Sequence, residues 1–260
     1  MGLTNVSFYN AQRSMMTAQQ GINTATQRLS TGNRINSAKD DAAGLAISER
    51  MNAQTKGMAV AVRNANDAIS LSQTAEGALS NVSDSLQRMR ELAVQARNAT
   101  NNDSDKDSLD AEFGQLAQEV QRVLGGTQFN GKAIVGADAG AQVFQIGAGT
   151  GTSDTISITT TNLTTDSDLT KVAGTDLAGT GRSKIDNTAD STAIGTVISD
   201  LDTALSKVNS QRATFGATQN RFDAVIKNLS SSMESQSAAR DRIVGADYAT
   251  ESANLAKYQI

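Results

Sequence analysis

The sequence predicts a mainly α protein. Its architecture is an elongated antiparallel coiled-coil or helix bundle with a small β-hairpin region inserted between N- and C-terminal helices. Three observations lead there. Apolar residues recur at alternating spacings of 3 and 4 over several stretches, the a/d heptad pattern of packed helices. The 260 residues include no Pro, where average usage would supply roughly 13. Pro breaks helix interiors, so its absence suits long helices. Finally, residues 127–185 are rich in Gly, Thr, Asp and Ser and lose the helical period.

In chain order, Met15, Ala18, Ile22, Ala25 and Leu29 define a first seam, closed by Thr31-Gly32-Asn33. Ser37-Ala38-Lys39-Asp40-Asp41 reads as a linker, with Asp40-Asp41 suited to starting the next helix. That helix is expected from about Leu45 to Ala99, on the order of 80 Å at 1.5 Å per residue. Its seam holds Leu79, Val82, Leu86, Met89, Ala93 and Ala96. After a turn at 98–103, Ser104 or Asp105 is placed to cap a helix that ends at Gly125-Gly126. Its seam reads Leu109, Phe113, Leu116, Val120, Val123.

In the insert, Val143-Phe144-Gln145-Ile146 and Ile156-Ser157-Ile158-Thr159 alternate like paired strands, joined through the Gly147–Gly151 turn. Residues 160–190 read as loop with a short helix. From about Thr192 a helix is expected to the chain's end. Its seam is Leu201, Leu205, Val208, Arg212, Phe215, Gln219, Phe222, Ile226, Leu229 and Met233. The polar members Arg212 and Gln219 either fix register or snorkel to solvent. Neither half buries its seam alone, so the halves are expected to pack together. Three segments result: 1–44 (terminal helix and linker), 45–190 (long helices plus insert) and 191–260 (returning helix).

Composition narrows the chemistry. With no Cys and no His, there is no thiolate nucleophile, imidazole base, disulfide or Cys/His zinc site. A net charge of −4 and 3% aromatic residues argue against nucleic-acid binding. No apolar run approaches a membrane span, and the first residues do not read as a cleavable secretory signal. Asp103–Asp107 opens like a calcium loop, but Ser108 and Gly114 stand where Gly and Glu are required. Gly147–Gly151 fits neither phosphate-binding glycine motif. The insert's aspartates are scattered. No catalytic, metal or cofactor constellation emerges, and the expected role is self-association or partner binding.

At Arg28-Leu29-Ser30-Thr31-Gly32-Asn33-Arg34-Ile35-Asn36-Ser37-Ala38-Lys39-Asp40-Asp41-Ala42-Ala43-Gly44 the chain resembles bacterial flagellin. The resemblance continues through Arg63-Asn64-Ala65-Asn66-Asp67, Leu86–Gln95, Thr127-Gln128-Phe129-Asn130-Gly131, Gln219–Asp223 and Ala246–Glu251. It implies a non-enzymatic filament subunit for motility, extracellular and exported by the flagellar type III apparatus. Residues 1–44 would then belong to the inner tube. Implied partners are other copies of the chain, an export chaperone, junction and cap proteins, and a Toll-like receptor. The resemblance places receptor or subunit contacts at Arg88, Leu92 and Gln95, at i, i+4 and i+7 on one helix, with Glu112 on the next. Flagellins usually continue past the position of Gln259-Ile260 with a helix that pairs with the first. The chain is therefore expected to lack that helix, to leave residues 4–32 without a partner and to polymerise poorly. The alternatives are a hook–filament junction protein and a flagellin-like surface protein binding a ligand such as a polysaccharide.

Overall fold

The computed structural model describes residues 2–260, with side chains from Val6 onward. Six α-helices carry the fold: α1 (Gly2–Thr31), α2 (Ala42–Ala96), α3 (Asp103–Gly126), α4 (Ser167–Ala173), α5 (Ser191–Val244) and α6 (Tyr248–Gln259). Two antiparallel strand pairs lie between α3 and α4: β1 (Gln128–Phe129) with β2 (Lys132–Ala133), and β3 (Ala141–Gln145) with β4 (Thr155–Thr159). The chain divides into two compact units, residues 61–228 and residues 1–60 with 229–260.

The 61–228 unit holds most of the core. The α2 seam is buried as expected: Leu79, Val82, Leu86, Met89, Ala93 and Ala96 are all fully enclosed. On α5 the two seam rows differ. Leu201, Val208, Phe215, Phe222 and Leu229, seven residues apart, are buried. The alternate row, Leu205, Arg212, Gln219, Ile226 and Met233, is half-buried. The heptad thus has one row facing the core and one at its margin. Gln219 donates to Glu76 at 3.1 Å, Arg90 to Asp202 at 2.7 Å, and Arg97 to Ser191 at 3.3 Å. As positions rise on α2 they fall on α5, so the helices run antiparallel here. Gln219 therefore meets a partner across the seam, while the buried Nε of Arg212 has none.

The α3 seam needs correction. Its buried residues are Asp110, Phe113, Ala117, Val120, Gln121 and Leu124, while Leu109, Leu116 and Val123 are only partly covered. The physical cause is a second neighbour, because α3 also packs on α4. The buried stripe widens towards the insert and recruits two polar residues. Asp110 receives Arg182 at 2.9 and 2.7 Å and the Ile185 N–H at 2.9 Å. Gln121 donates to the Gly174 carbonyl at 2.5 Å. The cap also shifts: Asn102, not Ser104, caps α3, and Asp105 returns the bond to the Asn102 N–H, closing a capping box.

The expected strand pair forms with Val143 opposite Ser157 and Phe144 opposite Ile156. Phe144 stacks edge-on against Phe222 of α5, with ring centroids 5.8 Å apart. The β1–β2 hairpin was not read from the residue pattern. Asn130 and Gly131 at its tip both have positive φ, 50° and 79°, as a two-residue type I′ turn requires.

In the other unit, α1 ends at Gly32, whose φ of +70° suits the glycine. The linker folds onto the end of α5. Arg34 N–H donates to Val244 O, Ala246 N–H to Gly32 O, and Asn33 bridges to Gly245. The C-terminal region is therefore not one helix to the end. It breaks after Val244, and Asp247 caps α6 by accepting the Ala249 N–H.

Candidate functional site

Two surfaces deserve the name. The first is on α2 and α3. Arg88 donates through Nε and Nη2 to Glu112 Oε1, at 3.0 and 2.8 Å, and through Nη1 to Glu91 at 3.0 Å. These contacts raise its already high pKa, Glu91 first and Glu112 second. Arg88, Gln95 and Glu112 are exposed. Leu92 is not: it is 1% exposed. Helical geometry explains this. At about 100° per residue, Gln95 lies only about 20° from Arg88, on one side. Leu92 lies about 40° away on the other, at the edge of the arc buried by Met89, Ala93 and Ala96. Leu92 is thus a core residue beneath this surface. Glu91, whose role the sequence reading missed, completes the charged cluster. The Glu three residues after Arg88 was the available clue.

The second surface is the α1–α6 pair. Glu251 is buried and receives Arg28 at 2.9 Å. A Cβ placed on Gly21 would come within 2.7 Å of the Tyr258 ring, and one on Gly32 within 2.9 Å of the Tyr248 hydroxyl. The helices are antiparallel, since 21, 28 and 32 meet 258, 251 and 248. Two tyrosines fill gaps left by two glycines, with an ion pair between them. The expectation that the first helix has no partner is corrected: α6 covers its C-terminal half. Towards its N-terminus Val6, Phe8, Tyr9, Met15 and Met16 are exposed, so Met15 of the expected seam is uncovered.

Among the described residues, no group of three or more Asp or Glu could hold a metal, and no helix is long and apolar enough to cross a membrane. Residues 3–138 match the model of the bacterial flagellin N-terminal helical region, and residues 198–260 that of the C-terminal helical region.

The chain belongs to the bacterial flagellin family. It is an extracellular structural subunit of the flagellar filament, not an enzyme. A flagellin of Halalkalibacterium halodurans is 41% identical over 248 residues, covering 95% of this chain and 86% of that one. Flagellin A of Vibrio cholerae is 33% identical over 349 aligned positions, covering 99% and 92%. The crystal structure of Bacillus cereus flagellin is 35% identical with a TM-score of 0.51, covering 64% of this chain and 88% of that one. A Vibrio parahaemolyticus protein assigned as flagellar hook-associated shares the fold at a TM-score of 0.64 and 14% identity. Neither flagellin model reaches residues 139–197. That stretch contains β3, β4, α4 and Arg182.

Proposed function

We propose that this flagellin is exported through the flagellar type III apparatus, bound beforehand by an export chaperone. It then polymerises beneath a cap onto junction proteins and serves motility. Residues 1–44, with α6 against α1, line the inner tube. The long helices with the insert (45–190) and α5 form the surrounding shell. The observation that supports this reading is that both flagellin terminal helical regions are present, with α1 of the first packed against α6 of the second. The C-terminal half of α1 has a partner in α6, contrary to the premise for weak polymerisation. Purified chain in assembly-promoting salt should sediment as filaments; a chain that stays monomeric under those conditions overturns the reading. Restoration of swimming in a strain lacking its own flagellin tests export and motility together. The hook-associated fold likeness favours one second reading, a junction protein, which would not form long homopolymers.

We further propose that the free monomer is recognised by a Toll-like receptor through Arg88, Gln95 and Glu112. Leu92 supports that surface from below. Arg88→Asp places a carboxylate beside Glu91 and Glu112, reversing the charge and removing an interface anchor. Receptor-reporter signalling should fall by roughly tenfold or more, about 1.4 kcal/mol or greater. Undiminished signalling would remove this surface from consideration.

A further inference from the structure

We propose that the 61–228 unit binds a small aliphatic ammonium ion in a cleft at the C-terminal end of α3. The cleft measures about 390 Å³, within the range of small-ligand pockets. The last turns of α3 supply Gln121, Arg122, Gly125 and Gly126, and the segments flanking α4 supply Thr164, Asp176 and Leu177.

The glycines are the first sign of a built site. Glycine is a poor helix former, and a fold keeps it where φ is positive or a neighbour crowds the backbone. Neither reason applies here. α3 runs through Gly125 and Gly126, neither has a positive φ, and a Cβ on either would meet nothing within 4 Å. The absent side chains leave the cleft open.

Leu177 is the second. It is 64% exposed, yet its loop is firmly tied. Asp176 accepts the Ala178 N–H at 3.0 Å, the Thr180 N–H at 2.9 Å and the Thr180 hydroxyl at 2.7 Å. The Thr175 N–H donates to the Thr180 carbonyl at 2.9 Å. The loop therefore holds an aliphatic side chain in water at the cleft's edge. Gln121 is the third sign. It is only 4% exposed, and its Nε2 donates to the Gly174 and Thr164 carbonyls at 2.5 and 3.5 Å. Its Oε1 accepts no hydrogen bond among the described residues. An acceptor left unmatched at such a position is costly, so a ligand that brings it a donor gains.

Electrostatics select that ligand. Asp176 contributes a negative charge. The carbonyls of a helix C-terminus add partial negative charge, and those of Gly125 and Gly126 accept no hydrogen bond among the described residues. Arg122 is the rim's cation, but Glu119 takes its Nε at 2.7 Å and its Nη2 at 2.5 Å, which neutralises it. The Thr164 hydroxyl donates to Asn162 at 2.7 Å and offers a ligand only lone pairs. An anion would meet like charge here, and a plain hydrocarbon would leave the acceptors unmatched. An ammonium head on an aliphatic stem answers both halves of the lining. Its three N–H groups serve the oxygens of Asp176 and Gln121, and its methylenes cover Leu177 and the bare glycine backbone.

The test is an amide NMR titration of the full chain with cadaverine, filaments first being removed by sedimentation, and with pentanol as the uncharged control. Cadaverine should give saturable shifts at Gly125, Gly126 and Leu177 with a dissociation constant of about 1 mM, weakening as salt rises. Asp176→Asn should weaken binding roughly fivefold, the scale of an exposed ion pair. Gly125→Leu should abolish it, because the new side chain enters open space, and circular dichroism and thermal unfolding should show the fold retained. Leu177→Ser, at an exposed loop position, needs no change in a helix and should weaken binding several-fold even if Gly125→Leu proves unstable. Shifts that never saturate, equal binding of pentanol, or unchanged affinity in Asp176→Asn and Leu177→Ser would each overturn the inference.

Discussion

Gly21 shows how one residue decides a helix pair. In an isolated helix Gly→Ala stabilises by about 1 kcal/mol. Here the new methyl would stand 2.7 Å from three carbons of the Tyr258 ring, closer than real contacts permit. Gly21→Ala is therefore expected to lengthen the life of α1 as a helix while loosening α6. Amide exchange in 248–259 should speed up in the variant; unchanged protection there would mean the ring moves aside freely. The Asp110–Arg182 pair decides the insert in the same way. Their side chains are only 13% and 15% exposed, and the guanidinium also lies 5.6 Å from the Phe113 ring centroid. Arg182→Ala strands a nearly buried carboxylate, at a cost of roughly 3 kcal/mol. Arg182→Lys should recover little, because an ammonium cannot reproduce the two-pronged contact. Thermal unfolding of the three proteins would rank them. Asp110 and Gln121 were illegible in the sequence because their partners, Arg182 and the Gly174 carbonyl, lie more than fifty residues away.

At the scale of elements, what was legible is what repeats. The α2 and α5 seams could be read because one rule holds over many turns, and the β3–β4 pairing, though not its register, could be read from simple alternation. The α3 face was misplaced because its stripe answers two neighbours, and periodicity reports one direction at a time. The break before α6 was missed because Gly245-Ala246-Asp247 interrupts the apolar pattern for only a few residues. That break and the α1–α2 linker share a chemistry that makes them pH-dependent. Asp40 accepts the Asn36 and Ser37 N–H groups at 3.0 and 2.9 Å, and these, Asn36 first, lower its pKa. Asp247 is lowered by the Thr250 hydroxyl and then the Ala249 N–H. A carboxylate depressed in the folded state adds stability above its ordinary pKa, near 3.8. That contribution is lost as pH falls through the lower folded value. Amide protection of 33–41 and 246–250 should therefore drop below about pH 4 before the α2 seam responds. Asp40→Asn and Asp247→Asn should flatten the pH dependence of their own segments. Simultaneous loss of all protection would show that the segments are not independent.

For the whole molecule, the missing residue types acquire a use. On the proposed export route, the subunit would leave the cell unfolded and fold outside it. Uncatalysed X–Pro isomerisation takes tens to hundreds of seconds, and disulfide formation takes seconds to hours. A chain with no Pro and no Cys has neither step. What remains is helix formation, fast at the microsecond scale, followed by pairings between segments far apart in sequence. Gln219 finding Glu76 and Glu251 finding Arg28 close loops of 143 and 223 residues. Loop-closure entropy grows only with the logarithm of length, so these pairings slow folding without adding a minute-scale phase. Refolding from denaturant, followed by circular dichroism, should thus finish with no phase in the prolyl range. Added prolyl isomerase should leave every rate unchanged. A slow phase that persists without the enzyme and scales with protein concentration would instead belong to association. It should disappear on dilution below the critical concentration. A slow, concentration-independent phase would break the link between composition and export.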